Sequence, residues 1–245
     1  METSINEIAD EVFCLSTYVE PANLRFNQIL IVAEEPLLFH CGYRRLFPLV
    51  SAEVTRATPL AKLRWISYGH HEGDESGSMN DWLEAAPNAR LAVGQRACVL
   101  SAMDLAIREP RALEDGETID LGGKRVRWIA TPHVPHGWDA GVLYEESTGT
   151  LLCGDLFTSL GDGPQIVEDD IVEPALAAER EFRATAITPN TAPTIRKLAE
   201  LSPRALALMH GPAFHGDGAR ELHRLADGYE QLLEEELARA GAAGA

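Results

Sequence analysis

The chain has 245 residues, and its 38 acidic side chains outnumber its 21 basic ones to give a formal net charge of −17. A chain of this length can bury a sizeable core without disulfides, and 45% apolar with 24% charged residues is a globular rather than a disordered composition. Because nucleic acids and anionic membranes are themselves negatively charged, the acidic excess argues against binding to either.

The first half of the chain predicts a series of short strands with helices among them. Strands are indicated by clustered or alternating apolar residues, which occur at residues 12–17, 28–33, 36–39, 63–67, 91–93 and 98–100. Residues 78–86 and 102–108 are typical of helices.

The second half begins with two hairpins and ends in helices. Strands at 118–121 and 125–130 flank one glycine-rich turn, and strands at 141–145 and 150–154 flank another. Further elements follow in the order acidic loop 161–173, helix 176–183, helix 192–201, buried strand 205–209 and amphipathic helix 217–240. Two stretches of strands, each followed by helical segments, predict a single α/β domain over residues 1–245 with a four-layer αββα sandwich. The acidic loop either borders a site or is simply solvated.

The N-terminus and the cysteines indicate a cytoplasmic protein. No basic segment followed by an apolar one opens the chain, so we predict no signal peptide, and no apolar run approaches the roughly 20 residues of a membrane span. The four cysteines, Cys14, Cys41, Cys98 and Cys153, form no CxxC pair. We expect reduced core residues, with paired thiols in an exported protein as the alternative.

One segment after a predicted strand is unusually rich in groups that bind metals. The run His70-His71-Glu72-Gly73-Asp74-Glu75 follows strand 63–67 and offers five ligand side chains in six residues. Burying so many ionisable groups without a cation would be costly. The alternative for this segment alone is a solvated polar turn.

Three further strand ends carry the same residue types. Segment 132–139 contains His133 and His136, strand 150–154 is followed directly by Asp155, and strand 205–209 by His210. Each oxygen of a carboxylate can bind a different metal ion, so a carboxylate such as Asp155 can bridge two. The four strand ends together predict a two-metal site with mixed nitrogen and oxygen ligands.

These motifs resemble the metallo-β-lactamase superfamily, and within it the oxygen-binding diiron branch, the lactamase-like domain of flavodiiron proteins. The hydrolases carry an HxHxDH signature, whereas His70-x-Glu72-x-Asp74-Glu75 has the HxExD form of the diiron branch. The segment from His136 to Asp139 is similar to the family's His-Trp-Pro-Asp, Asp155 has the spacing of the bridging aspartate, and His210-Gly211-Pro212 resembles the terminal HGP.

The resemblance implies the ligands and the metal. Residues His70, Glu72 and His136 would hold one iron, Asp74 and His210 would hold a second, and Asp155 would bridge the two. A glutamate at position 72 in place of histidine hardens the site, which favours iron or manganese over zinc. Two non-haem irons are therefore the expected cofactor, with zinc or manganese as the alternative.

Four neighbouring residues keep open roles beside the ligands. Glu75 stands where many family members have histidine, and it could be a ligand, a base beside the ligands or neither. His133 competes with His136, although the Trp-Asp that follows favours His136. Asp139 is expected to orient a ligating histidine, and His71 to face substrate or solvent.

The function implied by the resemblance is binding and reduction of O2 or NO at the dinuclear site. Flavodiiron proteins continue into a flavodoxin domain, and nothing in this sequence resembles its phosphate-binding loop, so an external electron-donor protein is expected. The alternatives are an oxygen sensor without turnover and a zinc- or manganese-dependent hydrolase. The resemblance also implies a homodimer.

Overall fold

Two seven-stranded sheets form the framework of the protein, in a computed structural model that describes residues 1–243. The first sheet has its strands in chain order, antiparallel from β1 to β4 and parallel from β4 to β7. Its strands are β1 (Thr3–Ala9), β2 (Val12–Val19), β3 (Leu24–Ile31), β4 (Leu37–Phe39), β5 (Trp65–Ser67), β6 (Arg90–Gly94) and β7 (Arg111–Leu113).

The second sheet has the order β12-β14-β13-β11-β10-β9-β8. Its strands are β8 (Thr118–Asp120), β9 (Arg125–Ala130), β10 (Gly141–Glu145), β11 (Thr150–Leu152), β12 (Ile166–Val167), β13 (Ala205–Ala207) and β14 (Ala213–His215). The predicted hairpins form β8–β9 and β10–β11, and β11 then pairs with β13 in parallel. The loops after β11 and β13 therefore leave the sheet at the same edge.

Helices cover the outer faces of both sheets. They are α1 (Phe47–Ala57), α2 (Gly73–Ser76), α3 (Met79–Ala85), α4 (Gln95–Ala97), α5 (Met103–Leu105), α6 (Val172–Phe182), α7 (Thr191–Ala199) and α8 (Gly218–Ala243). Alternation along β3 places Ile29 and Ile31 in the core between the sheets and Leu30 in the core under the first helices. Along β11, Leu152 likewise faces the other sheet and Leu151 faces α6 to α8. The predicted αββα sandwich is confirmed.

The C-terminal helix also agrees with the prediction. It begins at Gly218, and the apolar stripe that includes Leu222, Leu225 and Tyr229 is buried against α6 and α7. Burial of this stripe, rather than helix propensity, is what stabilises a helix in a globular protein. The acidic run 234–236 lies on its exposed or half-buried surface.

Three sequence expectations differ from the structure. Residues 98–100, predicted as a strand, lie in a π-helical segment between α4 and α5, where Val99 and Leu100 are 61% and 50% exposed. A short apolar run does not distinguish strand from helix, and exposed side chains give a strand nothing to pack against. The helix predicted at 102–108 ends at Leu105, and α6 begins at Val172 inside the predicted acidic loop. Strands β1, β7, β12 and β14 were missed because they are very short or largely polar.

The four cysteines are buried and unpaired, in agreement with their expected place in the core. Burial raises the pKa of Cys14 to about 12 and also raises those of Cys41 and Cys153, so these thiols stay protonated. Across residues 1–243, no helix combines the length and the apolar character that a membrane crossing requires.

Candidate metal centre

Loops from one end of the two sheets bring the six predicted ligands together. They are supplied, in chain order, by the β5–α3 segment, the β9–β10 loop and the segments after β11 and β13: His70, Glu72, Asp74, His136, Asp155 and His210. Side chains at strand ends are held in place by the rigid sheet, which suits a site that must keep a fixed geometry.

A glycine allows two of these loops to approach each other. Gly137 has a φ of +79°, and a Cβ at this position would lie 3.2–3.3 Å from side-chain atoms of His70 and Asp139. A side chain there would strain the backbone and push the β9–β10 loop away from the β5 loop. Gly137 therefore lets His136 approach His70, whose ring centroid is 4.6 Å away.

Four ligand side chains form what we call the first metal position. One ligand atom from each of His70, Glu72, His136 and Asp155 lies within 4.8 Å of the other three. The Oε2 atom of Glu72 is 2.9 Å from His70 Nε2 and 3.0 Å from His136 Nε2. Asp155 Oδ2 completes the group, 3.2 Å from His136 Nε2 and 3.7 Å from His70 Nε2.

A second group lies on the other side of Asp155, and we call it the second metal position. His210 Nε2 is 3.2 Å from Asp74 Oδ2 and 3.4 Å from Asp155 Oδ1. One oxygen of Asp155 thus faces each group, which is the orientation that a bridging carboxylate needs. Asp155 Oδ1 is buried and has no hydrogen-bond partner, so the protein itself leaves this oxygen incomplete.

The charges of the centre fit a cation. Burial lowers the pKa of His70, but Glu75 and Glu72 outweigh it and raise the value to about 11. Hydrogen bonds to Asp155 and Glu72 raise the pKa of His136 to about 9. Protons therefore supply positive charge among the carboxylates, and a metal ion would displace them because it binds neutral imidazole.

The remaining ligands behave in the same way. Burial lowers the pKa of His210, yet Asp155 and Asp74 raise it to about 10. Hydrogen bonds from His136 and His70 lower the pKa of Glu72 to about 2. Burial raises the pKa of Asp155, but the imidazoles of His136 and His210 outweigh it and lower the value, so Glu72 and Asp155 stay ionised. The imidazoles face the carboxylates with Nε2, and this donor set fits hard divalent cations such as iron or manganese.

A main-chain acceptor fixes the direction of the His210 imidazole. His210 Nδ1 donates to the carbonyl oxygen of Arg25 at 2.7 Å, which leaves Nε2 free to face Asp74 and Asp155. The Arg25 guanidinium in turn donates to Asp162 and to the carbonyl oxygen of Gly163. The acidic loop therefore lies against Arg25, the residue that orients His210, rather than against the metal positions.

Glu75 lies behind His70 and outside both metal positions. Its side chain is fully buried, and its Oε2 accepts the backbone N–H of His70 at 2.7 Å. Its Oε1 is 3.2 Å from His70 Nδ1 and 3.4 Å from His40 Nε2. Of the three roles left open by the sequence, this geometry corresponds to a group beside the ligands. Nothing in the sequence linked His40 to it, because they are 35 residues apart.

The other three open residues also differ in their placement. His133 is exposed at a φ of +67° and does not join the cluster. His71 is exposed and its Nδ1 lies 3.1 Å from Ser76 Oγ, so it faces away from the ligands as expected. Asp139 was expected to orient a ligating imidazole, whereas the contact that the structure shows is to the main chain: its Oδ2 accepts the backbone N–H of His71 at 3.0 Å. It holds the main chain between the ligands, a contact that residue spacing cannot reveal.

A cavity of about 290 Å³ opens directly on both metal positions. Its walls near the ligands are mostly apolar or aromatic, and sequence reasoning missed them: Leu24, Phe26, Tyr43, Pro135 and Phe157. The Phe26 ring lies edge-on to His210, with centroids 5.1 Å apart. Glu179 and Thr185 line both this cavity and a neighbouring one that none of the six ligands lines, and we call this the far end of the cavity. There the carboxylate of Glu179 accepts hydrogen bonds from Thr185 and from the Tyr229 hydroxyl.

A four-layer αββα sandwich with a histidine and carboxylate centre at one end of its sheets defines a metallo-β-lactamase-like protein. A family model described as "ODP family beta lactamase" matches residues 24–211, which is most of the chain. The chain therefore belongs to the ODP family, and it corresponds to the metallo-β-lactamase-like domain of flavodiiron proteins. The resemblance predicted from the sequence motifs is confirmed.

Individual relatives share the fold or part of the sequence. The rubredoxin oxygen:oxidoreductase from the anaerobe Desulfovibrio gigas superposes with a TM-score of 0.78 at 19% identity, over 94% of this chain and 62% of that one. Coenzyme F420H2 oxidase from Methanothermobacter marburgensis is 26% identical over 189 residues, which cover 74% of this chain and 46% of that protein. Hydroxyacylglutathione hydrolase from Acidiphilium cryptum is 41% identical over 106 residues, covering 42% of this chain and 38% of that protein. This chain spans less than half the length of either of these two curated relatives.

Proposed function

We propose that this protein is a non-haem diiron protein that binds O2 or NO between the first and second metal positions and reduces it with electrons from an external donor protein. One observation carries the proposal: Asp155 directs one oxygen to each of two histidine and carboxylate groups. A single-metal site has no use for the second, buried and unpartnered oxygen.

The composition of the ligand set favours iron over zinc. Three carboxylates and three imidazoles are hard and intermediate ligands, and anionic oxygen donors suit a metal that must reach the ferric state. Zinc has no redox chemistry and is commonly bound by histidine and cysteine. Two irons held by these ligands would supply coordination positions for a diatomic gas and one electron each, and the external donor would supply the remaining electrons.

The chain itself supplies positioning and exclusion of water. The carbonyl oxygen of Arg25 and the carboxylate of Glu75 fix the imidazoles of His210 and His70. The apolar walls at Phe26 and Phe157 border the metal positions and disfavour water there. An apolar cavity suits an uncharged diatomic molecule better than a charged substrate.

The names of the relatives are consistent with the proposal. One solved structure with the same fold is named a rubredoxin oxygen:oxidoreductase, and one curated relative is named a coenzyme F420H2 oxidase. Both names describe proteins that pass electrons from a carrier to an oxidant. We propose the same division of labour here, in which a separate flavodoxin- or rubredoxin-like protein delivers electrons to the centre.

The test is the reaction of the iron-loaded protein with oxygen. The protein is loaded anaerobically with Fe(II) and mixed with O2 in the presence and absence of a rubredoxin with its reductase. We expect sustained O2 consumption that requires the reductase and the iron. A long-lived coloured adduct without consumption would instead support the oxygen sensor, and no reaction at all would overturn gas binding.

A matched variant tests the metal preference. Glu72→His changes the one carboxylate that belongs to the first metal position alone. We expect this variant to retain less iron and to take up more zinc, because imidazole is the softer ligand. His133→Asn, at an exposed residue outside the cluster, is the control. Unchanged iron content in Glu72→His would contradict the assignment of Glu72 as a ligand.

A metal-dependent hydrolase is the second candidate, and one observation favours it. The segment similar to hydroxyacylglutathione hydrolase is 41% identical, a higher identity than that of the oxidase, but it covers only 42% of this chain. In that candidate, the same six residues would hold two zinc or manganese ions, which would supply an activated water for hydrolysis of a thioester or ester. Loading with zinc and assaying thioester cleavage tests it; cleavage by the zinc form, together with an inert iron form, would replace our proposal.

A further inference from the structure

We infer that the two metal positions are unequal: the first binds its ion tightly, and the second binds weakly and keeps open coordination sites toward the cavity. This inference deepens the proposed function and depends on it only for the identity of the metal. It follows from the difference in donors between the two positions together with the direction of Glu75, which the motifs left open and the structure shows.

The first metal position is complete for a four-coordinate ion. It has two imidazoles, from His70 and His136, together with oxygens from Glu72 and Asp155, and all four ligand atoms lie within 4.8 Å of one another. Its least exposed member, His70, is fixed from behind by Glu75, which contacts both its ring and its backbone N–H. Such a contact raises metal affinity because the ligand is already held in position, so less conformational entropy is lost when the metal binds.

The second metal position has only three donors. They are Asp74, His210 and the remaining oxygen of Asp155, which is shared with the first position. Both positions therefore have one carboxylate of their own and one shared carboxylate. They differ by one imidazole, so the inequality comes from the number of donors rather than from charge.

The fourth donor is missing because Glu75 is turned away. Asp74 and Glu75 are neighbours in α2, and successive residues of a helix point about 100° apart. Asp74 faces His210, and Glu75 is directed to the backbone of His70 and to His40 in the fully buried interior. The side chain that could complete the second position instead strengthens the first.

The open side of the second position faces the cavity. Asp74, His210 and Asp155 all line it. Glu72 and His136 of the first position line it too, so the two positions differ in the number of their donors and not in their access to the cavity. The aromatic wall beside His210 is Phe26, whose ring lies edge-on to the imidazole and offers no metal-binding atom. An ion held there would complete its coordination with water or with a ligand that enters through the cavity.

Metal titration of the full chain tests the inequality without any turnover. The metal-free protein is titrated with Co²⁺ by calorimetry, and metal content is measured after gel filtration at one and two equivalents. We expect two steps with dissociation constants at least about tenfold apart, the lower end of what one supporting contact to a ligand contributes. A single step of two equal ions, or a second ion that binds more tightly than the first, would overturn the inference.

Paired variants assign the steps to positions. His136→Ala should abolish the tight step, and His210→Ala should abolish the weak step while leaving the tight one. Glu75→Gln should weaken the tight step by about 10- to 100-fold and spare the weak one. Circular dichroism verifies folding of each variant, and His133→Ala is the matched control outside the cluster. Loss of the tight step in His210→Ala would reverse the assignment.

The result is separable from the proposed function. Unequal Co²⁺ steps together with an iron form that ignores O2 would retain this inference and reject gas reduction. Equal steps together with reductase-dependent O2 consumption would reject this inference and retain gas reduction as the function.

Discussion

The two ends of the cavity both contain a buried carboxylate, yet the protein treats them differently. At the far end, Glu179 accepts hydrogen bonds from the backbone N–H and the hydroxyl of Thr185 and from the Tyr229 hydroxyl. At the metal end, Asp155 Oδ1 has no hydrogen-bond partner, and Asp155 Oδ2 faces the imidazoles of His136 and His70. A buried carboxylate that the protein completes serves structure, whereas one left incomplete is prepared for a cation.

The largest expected effect comes from removing the bridging carboxylate. Asp155→Asn takes away the carboxylate whose two oxygens face the two metal positions, so we expect affinity for both ions to fall by about 100-fold or more, beyond the loss of a supporting contact. Metal content after dialysis against a weak chelator measures it. Retention of one tightly held ion would contradict the bridging role.

The next effect is the pH dependence of metal binding. The pKa values of His136, His210 and His70 are raised to about 9, 10 and 11, so metal-free protein at neutral pH must release protons when it binds an ion. We expect metal affinity to rise by about tenfold per pH unit for each proton displaced between pH 6 and 9. Calorimetry in buffers of different ionisation enthalpy counts the protons; zero proton release would contradict the charge pattern.

The free energy of unfolding of the metal-free chain should fall as the pH rises, whereas the metal affinity should increase. A histidine pKa raised above its ordinary value of 6.5 contributes stability that is fully present below pH 6.5 and is lost as pH rises through 9 to 11. Glu72, with its pKa lowered to about 2, contributes stability above pH 4.5 that is lost on acidification. We therefore expect a lower urea midpoint at pH 9 than at pH 6 without metal, and a reduced or reversed difference with it.

The carboxylate at the far end should behave as a structural group. In Glu179→Ala, the Thr185 and Tyr229 hydroxyls and one buried backbone N–H lose their acceptor, which costs about 1–3 kcal/mol of unfolding free energy. Metal content should stay the same as in the parent protein. Urea denaturation and metal analysis of the same sample measure both, and metal loss at unchanged stability would invert the contrast between the two ends.

The smallest effect is expected at His133. Its side chain is exposed and takes no part in the cluster, so His133→Ala should change stability by no more than about 0.5 kcal/mol and leave both metal steps unchanged. His136→Ala is the matched comparison three residues along the same loop. Equal loss of metal in both variants would show that the loop, rather than the His136 imidazole, matters.

The sequence predicted the sandwich and the ligand segments because both depend on local patterns. Apolar strands that end on His70, Asp155 or His210 are visible one segment at a time, and the resemblance added their assembly. The directions of Glu75 and Asp139 were not predictable, since each is set by a contact with another loop or with the main chain. The strand predicted at residues 98–100 was wrong for a related reason, because burial decides between strand and helix for a short apolar run.

The groups that hold the ligands in position could likewise not be predicted from the sequence. The Arg25 carbonyl that orients His210 comes from β3, 185 residues away, and any residue type provides a carbonyl. The cavity walls at Phe26 and Tyr43 look like ordinary core or surface aromatics in the sequence. Contacts made by the backbone, or by apolar side chains with ordinary spacing, produce no sequence motif, so they cannot be predicted from the sequence.

Metal identity tests the central claim most directly. The metal-free chain is offered two equivalents each of Fe(II) and Zn(II) without oxygen, then desalted and analysed for both metals; a parallel sample receives excess Fe(II) alone. The proposed diiron centre predicts two irons per chain in the second sample and bound iron in the first, although nitrogen and oxygen sites in general bind Zn(II) more tightly than Fe(II). Stoichiometric zinc at both positions in the first sample, together with less than one iron per chain in the second, would contradict it.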